Sequence, residues 1–136
     1  MTRRTWLSAL ALAFFCFSQN LSAQDNKPTH TTDDLKTVKA AVTSGKAILL
    51  DVREKAEWDN GHLKDAKLMP TSELTSTKGE SFLKLGIDKK KVVYTHCALG
   101  IRALRMANLL KEKGYDVRAL KPGFDDLVEA GFPEAK

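Results

Sequence analysis

Cysteine is scarce in this chain: Cys16 and Cys97 are the only two among 136 residues, too few for a disulfide-stapled scaffold. Also missing are an internal repeat, a glycine-rich phosphate loop and any His, Cys, Asp and Glu cluster at metal-ligand spacing. Nothing therefore calls for a metal ion, a bound nucleotide or another cofactor. Basic residues gather only in Lys89-Lys90-Lys91, which reads as a solvated turn and not as a nucleic-acid footprint. Uncharged apolar sequence is short as well. The run from Trp6 to Phe17 has 12 residues, against the roughly 20 that span a bilayer.

The neighbours of that run give it a meaning. Arg3 and Arg4 precede it, polar Ser18-Gln19-Asn20 follows, and a cut after Ala23 completes the pattern of a secretory signal peptide. Leu21 is large for its place, so the cut falls within a few residues of Ala23. Two other addresses fit less well. Thr2 to Leu7 faintly resembles a twin-arginine signal, but nothing later calls for a cofactor loaded before export. Cys16 suggests a lipid anchor, but Phe15 stands where a small residue is needed. The expectation is a periplasmic or secreted protein with no stable membrane association once residues 1–23 are gone. Their removal takes Arg3 and Arg4 and no acidic residue, leaving 20 basic against 17 acidic side chains, a net charge of +3. Residues 24–31 read as a polar, Pro-containing linker and residues 32–136 as one ordinary domain with a single core. Without Cys16, Cys97 has no partner for an internal disulfide, so it is either reactive or a small buried apolar residue.

The chain is organised around Lys91 to Ala107. The β-type run Val92-Val93-Tyr94 leads into Cys97, Gly100 permits a turn, and Ala103, Leu104, Met106, Ala107, Leu109 and Leu110 supply a helix-period apolar face. Cys97 then sits at the carboxyl end of a strand, facing a helix amino terminus, where ligands collect in open α/β sheets. The thiolate is the nucleophilic form of cysteine, and a free thiol is only about 3% thiolate at pH 7. Lowering the thiol pKa by about two units, which makes the thiolate the major form at pH 7, takes about 2.7 kcal/mol. A helix amino terminus supplies up to about 2 kcal/mol and each hydrogen bond to a charged group about 1.5 to 3. Backbone N–H groups of Ala98, Leu99, Gly100, Ile101 and Arg102 curled around the sulfur suffice, without a histidine or a metal. Arg102 adds a permanent positive charge and a fork that fits an oxyanion.

The remaining elements follow in order. Thr32 is positioned to cap a helix carrying Leu35, Val38 and Val42 on one face, stopped at Ser44-Gly45. Residues 47–52 read as a buried strand. Residues 67–69 read as a short edge strand ending at Pro70. Helical pieces from Thr71 to Leu85 break at Lys78-Gly79, with Phe82 and Leu85 as buried contacts. The helix from Arg102 ends at Gly114, residues 117–120 form another strand, and a last helix runs from Phe124 to Ala130. Strands and helices that alternate with short connections imply a parallel α/β sheet with right-handed crossovers. Asp51 and Arg53, at the end of the first strand, suit a brace between loops. His96 neighbours Cys97 on a strand, so the two side chains point to opposite faces and His96 is a poor candidate for its base.

Cys97-Ala98-Leu99-Gly100-Ile101-Arg102 resembles the active-site loop of rhodanese-domain sulfurtransferases, whose pattern is Cys, two variable residues, Gly, one variable residue, Arg. Other landmarks of that family stand in order: Asp51-Val52-Arg53, Glu57-Trp58, Gly61-His62-Leu63, Ala66, Pro70, Gly114-Tyr115, Gly123, Gly131 and Pro133. The likeness covers residues 32–133 and, with the leader, is to the exported, phage-shock type of single-domain rhodanese. It implies a central parallel sheet of about five strands flanked by helices on both faces. It also implies that Asp51 and Arg53 frame the loop as supporting residues, and that His62 lies in a structural turn. The implied chemistry is a double displacement through a persulfide on Cys97, with a small-molecule sulfur donor such as thiosulfate, a thiol or cyanide acceptor, and no cofactor. The apolar Ala98, Leu99 and Ile101 favour an apolar persulfide or polysulfide over thiosulfate. Three rival readings stand beside this one. Related phosphatases and arsenate reductases use a Cys-to-Arg loop one residue longer, and non-enzymatic binding modules of this fold commonly lack the cysteine. A persulfide carrier or redox sensor needs the same activated sulfur.

Overall fold

The computed structural model describes residues 28–136; the proposed leader and the start of the linker lie outside the described residues. Alternation of the two side-chain directions along each strand builds the architecture. β1 (Ala47–Asp51), β2 (Ala66–Leu68), β3 (Val92–His96) and β4 (Val117–Ala119) form one parallel sheet in the order β2-β1-β3-β4. Leu50 and Val93 point to one face, with Phe82, Met106 and Leu110; Leu49 and Tyr94 point to the other, with Val38, Leu120, Leu127 and Phe132. Both faces are thus apolar, which is why the strands read as continuous apolar runs. The first face is covered by α3 (Thr71–Ser76), α4 (Glu80–Leu83) and α5 (Ile101–Lys111), and the second by α1 (Leu35–Thr43) and α6 (Phe124–Glu129). The short α2 (Lys55–Asp59) follows β1.

The sheet has four strands, not five. Beyond β4 the edge is met by the segment before α1, which makes a backbone bond from Thr31 N–H to Ala119 O at 2.8 Å and then turns away to start the helix. One such bond covers an edge without making a strand. The helix cap differs from expectation for a related reason. Asp34, not Thr32, is the cap and accepts the Thr37 N–H at 3.1 Å, while Asp33 is drawn to the Tyr94 hydroxyl at 2.7 Å and to Arg118 at 2.8 Å. Phe82 is buried and meets the Tyr115 ring edge-on, but Leu85 falls beyond the end of α4 and is 39% exposed.

Strand register decides where the reactive stretch ends up. Asp51 pairs with His96 at the carboxyl ends of β1 and β3, the two central strands. Cys97 leaves the sheet one residue later, facing the start of α5.

Candidate active site

Gly100 makes the turn. It caps α5 with φ +82° and ψ −17°, a left-handed conformation that glycine adopts without the penalty a Cβ brings. Its N–H points back and donates to Cys97 Sγ at 3.1 Å, and the Ala103 N–H in the first turn of α5 donates at 3.4 Å. Two backbone donors at a helix amino terminus therefore converge on one sulfur, an arrangement that favours its anion. Cys97 is 1% exposed and forms part of the lining of a pocket of about 280 Å3 with Ala98, Leu99, Ile101 and Arg102. All six residues of the predicted loop are thus brought together, but only Gly100 among the five expected amides bonds to the sulfur. The second donor, Ala103, lies one residue beyond that stretch.

The loop rests against the turn before α6. The Phe124 N–H donates to Cys97 O at 2.9 Å, and a Cβ on Gly123 would lie 1.7 Å from the Ala98 carbonyl oxygen. Only glycine permits this approach of two backbones. Below the loop, Asp51 and Arg53 are buried and bonded through Arg53 Nη2 to Asp51 Oδ2 at 2.7 Å and Arg53 Nε to Asp51 Oδ1 at 3.0 Å. Arg53 also donates to Gly61 O at 2.8 Å and lies 4.1 Å over the Phe124 ring. The pair links the end of β1 to the α2 turn and, through Phe124, to the Cys97 backbone. It does not reach the pocket, which fits a framing part.

His96 occupies the opposite face from Cys97, its Nε2 3.6 Å from Asp51 Oδ2. It is fully buried and neither ring nitrogen has a hydrogen-bond partner among the described residues. Burial lowers its pKa to about 4, against the opposing pull of Asp51 and with help from Arg53, so it is neutral at pH 7. His62 stacks on Trp58 at 3.7 Å and bonds through Nδ1 to Trp58 O at 3.1 Å, in the turn after α2. Neither histidine lines the pocket.

Arg102 brings in a partner that the sequence marks only as a landmark. Glu57 on α2 accepts from both ends of the fork, at 2.6 and 2.7 Å, and from the Glu54 N–H at 2.9 Å. The Arg102 guanidinium, with help from that N–H, holds the Glu57 carboxyl down at about 2. The pair stands half-buried at the pocket wall and stays ionised through mild acid. Arg102 therefore reaches the pocket as one half of a closed ion pair. No metal-binding cluster of His, Cys, Asp and Glu occurs among the described residues.

The sequence model of the rhodanese-like domain matches residues 34–130. The chain belongs to the rhodanese-like domain family. It is 38% identical over 80 residues to the uncharacterized protein YqhL of Bacillus subtilis, covering 58% of this chain and 59% of that protein. It is 37% identical over 70 residues to the probable adenylyltransferase/sulfurtransferase MoeZ of Mycobacterium tuberculosis, covering 52% of this chain and 17% of that protein. The chain thus spans less than two thirds of either relative. Among solved structures, the Helicobacter pylori protein hp1203 is 32% identical with a TM-score of 0.55, over 67% of this chain and 79% of that one. A rhodanese-related protein of Thermoplasma volcanium has a TM-score of 0.64 at 21% identity, over 79% of this chain and 98% of that one, a likeness of fold. Membership of the family, with a relative named for sulfur transfer, supports sulfurtransferase-type activity at the level of the family.

Proposed function

We propose that this rhodanese moves a sulfane sulfur from thiosulfate or a persulfide or polysulfide donor to a thiophilic acceptor, through a persulfide on Cys97. The observation that carries the reading is the pair of N–H groups, from Gly100 and Ala103, on Cys97 Sγ in the lining of a pocket. The Cys97 thiolate attacks the outer sulfur of the donor. A new S–S bond forms, the donor's own S–S bond breaks, and the leaving group, sulfite from thiosulfate, departs with the electron pair. Cyanide or a thiolate then attacks the terminal sulfur of the persulfide, takes it, and releases the Cys97 thiolate. The transfer is redox-neutral and needs no cofactor. The two N–H groups stabilise the anion before and after loading, as oxyanion-hole donors do.

The donor preference follows from the pocket wall. Ala98, Leu99 and Ile101 are apolar and the Arg102 fork is closed by Glu57, so a dianion such as thiosulfate finds little unpaired positive charge. An apolar persulfide or polysulfide suits this wall better. We read residues 1–23 as an export leader, which places the enzyme in the periplasm or outside the cell. Its partners are then a small-molecule sulfur donor and a thiol, with cyanide as the acceptor of the assay.

The test is thiocyanate formation from thiosulfate and cyanide by the purified protein and by Cys97→Ser. Turnover by the first and none by the second is the expected result. Equal rates from both would remove Cys97 from the mechanism.

A further inference from the structure

The reactive loop is also held from the N-terminal side, by residues that read as linker in the sequence. His30 donates through Nε2 to Gly100 O at 3.0 Å, across 70 positions of sequence. This is a second bond on that carbonyl, which already accepts the Leu104 N–H of α5 at 3.1 Å, so the helix does not depend on it. Gly100 is the residue whose N–H reaches the Cys97 sulfur at 3.1 Å. Glycine has the widest choice of backbone conformations, and the direction of its N–H is only as definite as the contacts around it. Here they are close: a Cβ at Gly100 would meet Lys121 O at 2.6 Å and His30 Nε2 at 3.1 Å.

His30 is itself held in place. The neighbouring Thr31 N–H bonds to Ala119 O on the open edge of β4 at 2.8 Å. Two residues on, Asp33 Oδ2 accepts from the Tyr94 hydroxyl at 2.7 Å and from Arg118 Nη1 at 2.8 Å. Arg118, and then Tyr94, keep the Asp33 carboxyl below the usual carboxylate range. Burial, and then Asp33, push the Tyr94 hydroxyl up to about 12. Both groups therefore keep these roles across the physiological range.

We propose that residues 30–33 are a strap on the active site, and that His30 is a positioning residue that holds Gly100 so that its N–H stays on the Cys97 sulfur. The inference rests on the reading of Cys97 as the reacting sulfur, but its test needs no sulfur donor. The ultraviolet absorbance of the Cys97 thiolate, taken as the difference from Cys97→Ser, is followed against pH in the full chain and in His30→Ala, His30→Gln and Asp33→Asn. In His30→Ala the profile moves to higher pH, so that below the plateau the thiolate signal falls about three- to tenfold, the worth of one hydrogen bond. His30→Gln, whose side-chain amide can donate to the same carbonyl, restores most of it. Asp33→Asn, which loosens the far end of the strap without touching His30, gives a smaller move in the same direction. With sulfur turnover as a second readout, kcat falls in His30→Ala while the donor KM holds, because His30 does not line the pocket. An unmoved profile in His30→Ala, or a displacement that Gln does not reduce, overturns the proposal. If the wild-type protein forms no persulfide, the proposed function fails while the absorbance profiles still decide the strap.

Discussion

Asp51 and Arg53 lie buried beneath the reactive loop, bonded to each other and to the Gly61 carbonyl, while Leu99 and Ile101 on its crest are 81% and 74% exposed. The two regions lie at the carboxyl end of the same sheet and are built on opposite terms. In the floor, charged groups are desolvated and matched, so removing one leaves the other uncompensated. On the crest, apolar side chains stand in water and contribute little to folding, so they are free to suit whatever approaches Cys97. The floor governs whether the loop has its shape, and the crest governs what the loop meets.

Predictions that separate the two run from large effects to small. Asp51→Ala should destabilise the protein by about 3–5 kcal/mol, because it strands the Arg53 guanidinium in the interior; urea unfolding measures it, and a loss below about 1 kcal/mol would dissolve the contrast between floor and crest. The next effect comes from His96, whose imidazole is lowered by burial to about 4, against about 6.5 when unfolded. As the pH falls the unfolded chain takes up this proton first. Stability is therefore full above about pH 6.5, declines toward pH 4 and levels off below it, by up to about 3 kcal/mol. His96→Asn should flatten that part of the urea-unfolding pH profile, and an unchanged slope would contradict the assignment. Leu99→Lys should alter stability by less than about 0.5 kcal/mol but lower the thiosulfate KM several-fold. An unchanged KM would refute the preference for apolar donors.

Local signals carried much of this molecule. The apolar runs of β1 and β3, the Cys97, Gly100 and Arg102 spacing and the helix period after it are contiguous in sequence, and the strand, turn and helix they imply are those observed, although only Gly100 of the five expected amides bonds to the sulfur. Contacts between distant residues were less legible. Glu57 stands 45 positions from Arg102, and nothing in its own neighbourhood says that it closes the guanidinium fork. Ala103 acts through its amide, which leaves no mark in a side-chain pattern. The need for Gly123 comes from the Ala98 carbonyl, so the glycine is visible in the sequence and its reason is not. His30 and Thr31 read as linker because polar residues without periodicity carry no sign of the edge they cover. The same edge explains why four strands close the described sheet where five were expected.

The proposed transfer stands or falls on whether Cys97 carries the sulfur. The most direct measurement is the intact mass of the purified protein after exposure to thiosulfate or to a polysulfide, read before any acceptor is added and repeated on Cys97→Ser. The expected result is an addition of about 32 mass units, one sulfur atom, on the wild-type chain, lost when acceptor is supplied and never seen on the variant. A chain that stays unmodified with both donors, or a Cys97→Ser variant that gains the same mass, would contradict it.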